Sequence, residues 1–245
     1  MAPGMIQRPI RCPIRHPETE PMDHDRIIEL LEPLLTSRRL ERMGQVLDSR
    51  SDQAAFVFEA MTDPHNLSAA LRSLDAFSFQ DAWLISPGER LGLSRGITIG
   101  SERWLTLHRP PGVAECFAEL RGRGYAIYAS HLGEGETVGL HELDFSRRTA
   151  LVFGNEHAGV SGEVLELADA SFRIEMHGFV ESLNLSVAVA VSAHHARTEL
   201  NRLEDRAGSP GLYALAPERR RELYAHWLRG SVRRAEKILA EAGIK

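Results

Sequence analysis

The middle of the chain alternates between short, continuous apolar runs and longer stretches whose apolar positions fall three and four apart. The runs Ala55–Glu59, Ala82–Ser86, Trp104–His108, Tyr125–Ser130, Ala150–Gly154 and Ser171–Met176 are too short for helices, and their apolar character hardly alternates. They predict strands buried on both faces. Between most of them lie stretches with helical spacing, Asn66–Phe77, Gly112–Gly124 and Ser161–Asp169. Strand, helix, strand at these intervals predicts an α/β fold, a mainly parallel sheet with helices on both faces. Ahead of the sheet, Ile27, Leu30, Leu31 and Leu34 share one helical face, and Leu40, Met43 and Leu47 continue it after a break near Pro33. Behind it a helix runs to about Leu203, "AGSPG" ends it, and a last helix carries Leu223, Trp227 and Leu228. The chain thus divides into a Pro- and Arg-rich arm at 1–22, a helical segment at 23–50, the α/β unit at 51–204 and C-terminal helices at 205–245. The arm has no apolar period and is expected to be flexible.

Composition narrows the class. Of 245 residues 43 % are hydrophobic, enough for a sizeable core. No apolar run approaches the roughly 20 residues of a membrane span, and no charged-then-apolar leader opens the chain. Cys12 and Cys116 have neither metal-ligand nor redox spacing. These features predict a cytoplasmic protein. The formal charge of −5 is unevenly spread, since 217–245 hold 8 basic against 4 acidic residues. All basic residues but Lys237 and Lys245 are arginine, the better bidentate partner for phosphate.

Against this background "GFVESLNLSVAVAV", residues 178–191, brings Ser182, Asn184 and Ser186 into a stretch otherwise built from Val, Leu and Ala. A buried polar group left unpaired costs roughly 1 to 3 kcal/mol, so these side chains need partners. The Ala-rich continuation reads as helix, which puts "ESLN" in the preceding turn, where free N–H groups suit an anion and Ser or Asn caps the helix. Two more segments share this character. In "DPHNLSAALRSLDAF", Asn66 is placed to cap and Arg72, six residues on, projects from the same helix. In "LVFGNEHAGVSGE", Gly154 and Gly159 enclose Asn155 and Glu156. Each segment alone also reads as ordinary cap and turn chemistry. Together they begin at carboxyl ends of strands, where open parallel sheets hold their ligands.

The three segments, in this order and at these intervals, resemble the three motifs of the SpoU, or TrmH, family of SPOUT RNA 2'-O-methyltransferases, and within it the branch that modifies tRNA guanosine. The resemblance runs from about Phe56 to Arg197, with weaker links at "GSERW" and "YASHL". It implies a C-terminal deep trefoil knot and S-adenosylmethionine bound by the knotted loops. By the same carry-over Arg72, Asn66, Ser182 and Asn184 are the catalytic candidates, and Ser130, Gly154, Glu156, Ile174, Met176 and Leu183 line the cofactor pocket. No metal is implied. Where relatives commonly have "PM" after the last strand, this chain has Glu175-Met176 followed by His177.

The resemblance further implies RNA as partner, most specifically tRNA with the D-loop guanosine at position 18 as target. Arg38, Arg39, Arg42, His65, Arg219 and Arg220 are the candidates for holding RNA, a salt-sensitive and sequence-blind contribution where they meet phosphate. A homodimer is expected, with Leu223, Trp227 and Leu228 as apolar surface. Ribosomal RNA is the alternative substrate, which the short segment before the first strand disfavours. A non-catalytic knotted RNA-binding protein is the other alternative. It would be expected to lack Arg72, Asn66 or the "SLN" triplet, all of which are present.

Overall fold

The computed structural model describes residues 23–86, 101–133 and 137–244; the arm at 1–22 lies outside them. Among the described residues seven strands form one sheet: β1 (Ala54–Glu59), β2 (Asp81–Ile85), β3 (Thr106–His108), β4 (Ala126–Ser130), β5 (Thr137–Gly139), β6 (Thr149–Phe153) and β7 (Ala170–Arg173). Their order is β3-β2-β1-β6-β4-β7-β5, and each neighbouring pair is parallel. Every residue of β1, β2 and β6 is buried, which accounts for the unbroken apolar runs.

Side chains alternate between the two faces. Phe56 and Phe58 of β1, Leu151 and Phe153 of β6 and Phe172 of β7 join one core with α3 (Pro64–Ala76) and α6 (Leu185–Ala207). Ala55, Val57, Trp83, Ile127 and Val152 point the other way, against α4 (Val113–Gly122) and α5 (Gly162–Leu167). Thus α3 and α6, which carry two of the polar segments, lie side by side on one face.

The terminal helices build a third core. Ile27 and Leu31 of α1 (His24–Leu31), Met43 and Leu47 of α2 (Ser37–Ser49), Leu223, Trp227 and Leu228 of α7 (Pro217–Ser231) and Leu239 of α8 (Ala235–Glu241) pack together. Leu223, Trp227 and Leu228 are therefore buried within their own chain, and their availability as a dimer surface is corrected. Arginines fasten this layer to α3, α6 and the segment before β2. Arg50, fully buried, donates to Phe79 O at 2.9 Å and pairs with Asp75 of α3. Arg197 of α6 reaches Phe77 O, Ser78 O and Ser49 O at 3.0 to 3.2 Å.

Several boundaries depart from the apolar pattern. Ser101–Trp104 is a 3-10 turn, so β3 begins only at Thr106. β7 stops at Arg173, leaving Ile174–Met176 outside the sheet, and β5 has no counterpart among the predicted strands. The last helix is two, parted near Arg234, whose φ is +62°.

Candidate active site

Four consecutive strands of the sheet, β1, β6, β4 and β7, send their following loops over one edge. The exit of β1 is conformationally strained: Ala60 has φ +50°, a region that costs a non-glycine residue about 1 to 2 kcal/mol. It is held there from both sides, its N–H donating to Ile85 O at 2.9 Å and its carbonyl accepting from Asn155 Nδ2 at 3.2 Å. Asn155 also donates to Thr62 Oγ1 at 3.2 Å and accepts from the N–H groups of His157 and Ala158, so it folds its own loop and ties it to the start of α3. Gly154 and Gly159 close that loop with two backbone hydrogen bonds between Asn155 and Gly159 of 2.9 Å each. A Cβ on Gly154 would lie 2.0 Å from Gly159 O, so only glycine fits there.

The cap of α3 is Asp63, whose carboxylate accepts from His65 N at 2.8 Å; Asn66 is not the cap that its sequence position suggests. Freed from that task, the Asn66 side chain bridges the other two loops. Its Nδ2 donates to Glu156 Oε1 at 2.7 Å, and its Oδ1 accepts from Asn184 Nδ2 at 3.2 Å. Asn184 is the cap of α6, accepting from Ser186 N at 2.9 Å and from Ser186 Oγ at 2.6 Å. The carboxylate can only accept, which fixes the sense of every amide in the series. Hydrogen bonds run one way from Ser186 through Asn184 and Asn66 to Glu156, and they join all three polar segments. Ser186, marked in the sequence as a polar side chain needing a partner but not among the catalytic candidates, finds that partner in Asn184.

Arg72 lies further along α3, exposed and bonded to no described residue. Ser182 is exposed in the loop before α6, Leu183 and Met176 are half-buried, and Ile174 packs against the α3–α6 core. Ser130 ends β4 beside Phe172 of β7, and His131 N donates to Phe172 O at 3.0 Å. Among the described residues the backbone of 175–183 makes no backbone hydrogen bond. No group of three or more His, Cys, Asp or Glu among the described residues is arranged to hold a metal ion, and no helix is long and apolar enough to cross a membrane. Burial pushes the Cys116 thiol up to about 12, with Glu119 adding to the effect, so it stays protonated.

The arginine candidates divide. Arg38 and Arg42 are exposed on α2, and Arg39 lies over the Trp104 ring at 5.2 Å. Arg219 instead donates to Glu222 and Thr106 at 2.8 and 2.9 Å and approaches Asp81 at 3.6 Å, and Arg220 pairs with Asp48 at 2.6 Å. With Arg221, paired to Asp25, these residues anchor α7 to β2, α2 and α1. His65 is exposed at the start of α3.

Comparison with known proteins agrees with this geometry. The sequence model of the SpoU rRNA Methylase family matches residues 53–194. The chain is 37 % identical over 197 residues to the tRNA (guanosine(18)-2'-O)-methyltransferase of Thermus thermophilus, covering 79 % of this chain and 97 % of that protein. The solved structure of the A. aeolicus TrmH/SpoU tRNA modifying enzyme superposes with a TM-score of 0.69 at 30 % identity, over 80 % of this chain and 98 % of that one. An AdoMet-bound rRNA methyltransferase from Sinorhizobium meliloti follows at 0.55 and 27 %, over 62 % and 58 %. Since the matched residues take in all three polar segments and the bonds that join them, the chain belongs to the SpoU rRNA methylase family.

Proposed function

We propose that this protein transfers the methyl group of S-adenosylmethionine to a ribose 2'-oxygen of tRNA, with the D-loop guanosine at position 18 as target. The one-way series of hydrogen bonds from Ser186 to Glu156 carries the reading, because it locks three loops at one sheet edge, with Arg72 exposed further along the helix that carries Asn66. The Thermus relative, nearly all of whose length aligns, is named for this reaction.

The edge fits the methyl donor: the backbone of 175–183, which bonds to no described backbone group, would offer partners for a polar ring and an amino-acid end, while Ile174, Met176 and Leu183 would offer apolar faces. Ser130, Gly154 and Glu156 complete the set that would hold it. When bound, S-adenosylmethionine supplies an electrophilic methyl group. The protein has then to keep the 2'-hydroxyl in line with that methyl, a positioning effect that alone can favour transfer strongly. Asn66, Asn184 and Ser182 serve this role. Arg72, charged at any ordinary pH, orients the ribose or its phosphate and stabilises the alkoxide that develops as the 2'-hydroxyl proton passes to an RNA phosphate or to water.

The match to the SpoU family over residues 53–194 is what supports a threaded, trefoil-knotted C-terminal part. A homodimer is supported by exposed apolar residues: Phe179 and Val180 in the loop before α6, and Val187 and Val191 one turn apart on it. Arg38, Arg39 and Arg42 would hold RNA backbone, with His65 nearer the reacting end; Arg219 and Arg220 act through the placement of α7. The cytoplasm, where tRNA is found, is the compartment this function requires.

Ribosomal RNA stays as the second reading, on the name of the S. meliloti enzyme. The deciding experiment is methyl transfer from labelled S-adenosylmethionine to unmodified tRNA transcripts, wild type against a guanosine-18 substitution, with ribosomal RNA alongside. Label on a ribose oxygen that disappears with the substitution is the expected result. Label in ribosomal RNA alone would replace the substrate and keep the chemistry.

A further inference from the structure

One buried acid has no part in the chemistry described so far. Glu59 is the last residue of β1 and only 6 % exposed, and among the described residues no basic side chain pairs with it. A carboxylate taken out of water is costly unless it is bonded, and β1 is otherwise built from Ala, Phe and Val. The bond it makes is to main chain: Glu59 Oε2 accepts from Ser161 N at 2.8 Å, across 102 residues of sequence. That bond spans the base of the loop between β6 and α5. Phe58 stands opposite Phe153 in the parallel register of β1 and β6, so the next residues, Glu59 and Gly154, are neighbours where the loop leaves the sheet. The loop ends at Ser161, the cap of α5, whose hydroxyl accepts from Val164 N at 3.2 Å. Glu59 therefore flanks the first residue of the loop with its backbone and holds the last with its carboxylate. Ala60, next along the chain, holds the outgoing limb by accepting from Asn155 Nδ2. Between these two anchors the loop presents Glu156 to Asn66.

We propose that Glu59 is a positioning residue for methyl transfer: by fixing the return limb of the 154–161 loop, it sets Glu156 at bonding distance from Asn66. The inference rests on the methyltransferase reading above. Place, packing and chemistry each favour it. Asn66 follows Glu59 by seven residues, so both partners of the Asn66–Glu156 bond are built out from one point of the sheet, the exit of β1. The two limbs of the loop are in contact, since a Cβ on Gly154 would lie 2.3 Å from Val160 N, and Val160 is buried in the core beneath α4 and α5. A shift of the return limb is then passed to the outgoing limb rather than absorbed. A carboxylate can only accept, and its bond to a backbone N–H is roughly twice as strong as a neutral one, which suits a fixed anchor. The buried acid thus acts at a distance, through the loop, on an amide that both neighbouring segments share.

The test compares, in the full-length protein, Glu59→Ala, which removes the acceptor, with Glu59→Gln, which keeps an acceptor oxygen without its charge. Glu59→Ala should lower kcat for tRNA methylation roughly 10- to 100-fold at saturating S-adenosylmethionine, with tRNA affinity within about twofold of wild type. Glu59→Gln should regain most of that loss. The deciding readout is a double-mutant cycle with Asn66→Ala. If Glu59 works through the Glu156–Asn66 bond, its replacement costs little once that bond is gone, and the double variant should stay within about threefold of Asn66→Ala alone. Losses that multiply, or a kcat for Glu59→Ala within about twofold of wild type, would leave Glu59 as a plain support of α5 and overturn the inference while methyl transfer stands. Melting temperatures accompany each variant. Where Glu59→Ala does not fold, the same cycle with Glu59→Gln decides, its few-fold loss expected to vanish beside Asn66→Ala. Absence of methyl transfer by the wild type to any RNA would overturn the function and the inference together.

Discussion

Asn66 shows how one amide can serve as the hinge pin of a site. Both of its ends are committed, one to a carboxylate and one to an amide that is itself fixed by a helix cap. Asn66→Asp is almost isosteric, yet it sets a second carboxylate 2.7 Å from Glu156 Oε1. Methyl transfer should fall by roughly 10- to 150-fold, the cost of losing a charge-assisted bond, and by more than in Asn66→Ala, measured as kcat/KM. Arg72→Ala should abolish transfer with the melting temperature unchanged, because the side chain bonds to nothing else described; wild-type activity in that variant would remove Arg72 from the mechanism. The types and spacing of these residues are readable in the sequence. The role of Asn66 is not, because Asp63 and Pro64 supply a better start to α3, and a cap preference cannot tell which of two nearby candidates wins.

At the level of elements, continuous apolar runs are legible wherever strands are buried on both faces, as in β1, β2 and β6. β5 is not, since three residues ending in glycine give no period to detect. The split between α7 and α8 is equally silent, because the left-handed residue there is Arg234 while Gly230 sits inside the helix. The loop after β6 has no such latitude. Gly154→Ala should cost about 3 kcal/mol in urea unfolding, since the new Cβ meets backbone that cannot swing away. α6 carries a pH-dependent element of its own. Burial, with His141, His194 and Arg202 nearby, holds His195 below its ordinary value of 6.5 although Glu199 acts the other way, and its Nε2 has no partner among the described residues. The unfolded chain therefore takes up this proton more readily. Stability should be level above pH 6.5 and decline as pH falls below it; thermal melts of His195→Gln should lose that slope.

For the whole molecule, burial of Leu223, Trp227 and Leu228 takes the last helices out of the proposed dimer surface and leaves α6 and the loop before it as the exposed apolar candidates. Apolar periodicity marks a face that must be covered without saying by which partner, which is why the sequence points to a helix whose apolar face is covered within the chain. Val187→Glu with Val191→Glu should yield a folded monomer by light scattering, both side chains being exposed in the single chain. The core shared by both ends of the chain has a further consequence, in the order of synthesis. Ile27, Leu31, Met43 and Leu47 leave the ribosome early, while the helix that covers them ends at Ser231. At about 5 to 20 residues per second, on the order of 10 to 40 seconds separate the two events. Throughout that interval the nascent chain carries an uncovered apolar face at its front end, a natural holding point for a chaperone, and a message truncated after α6 would leave that face exposed for good.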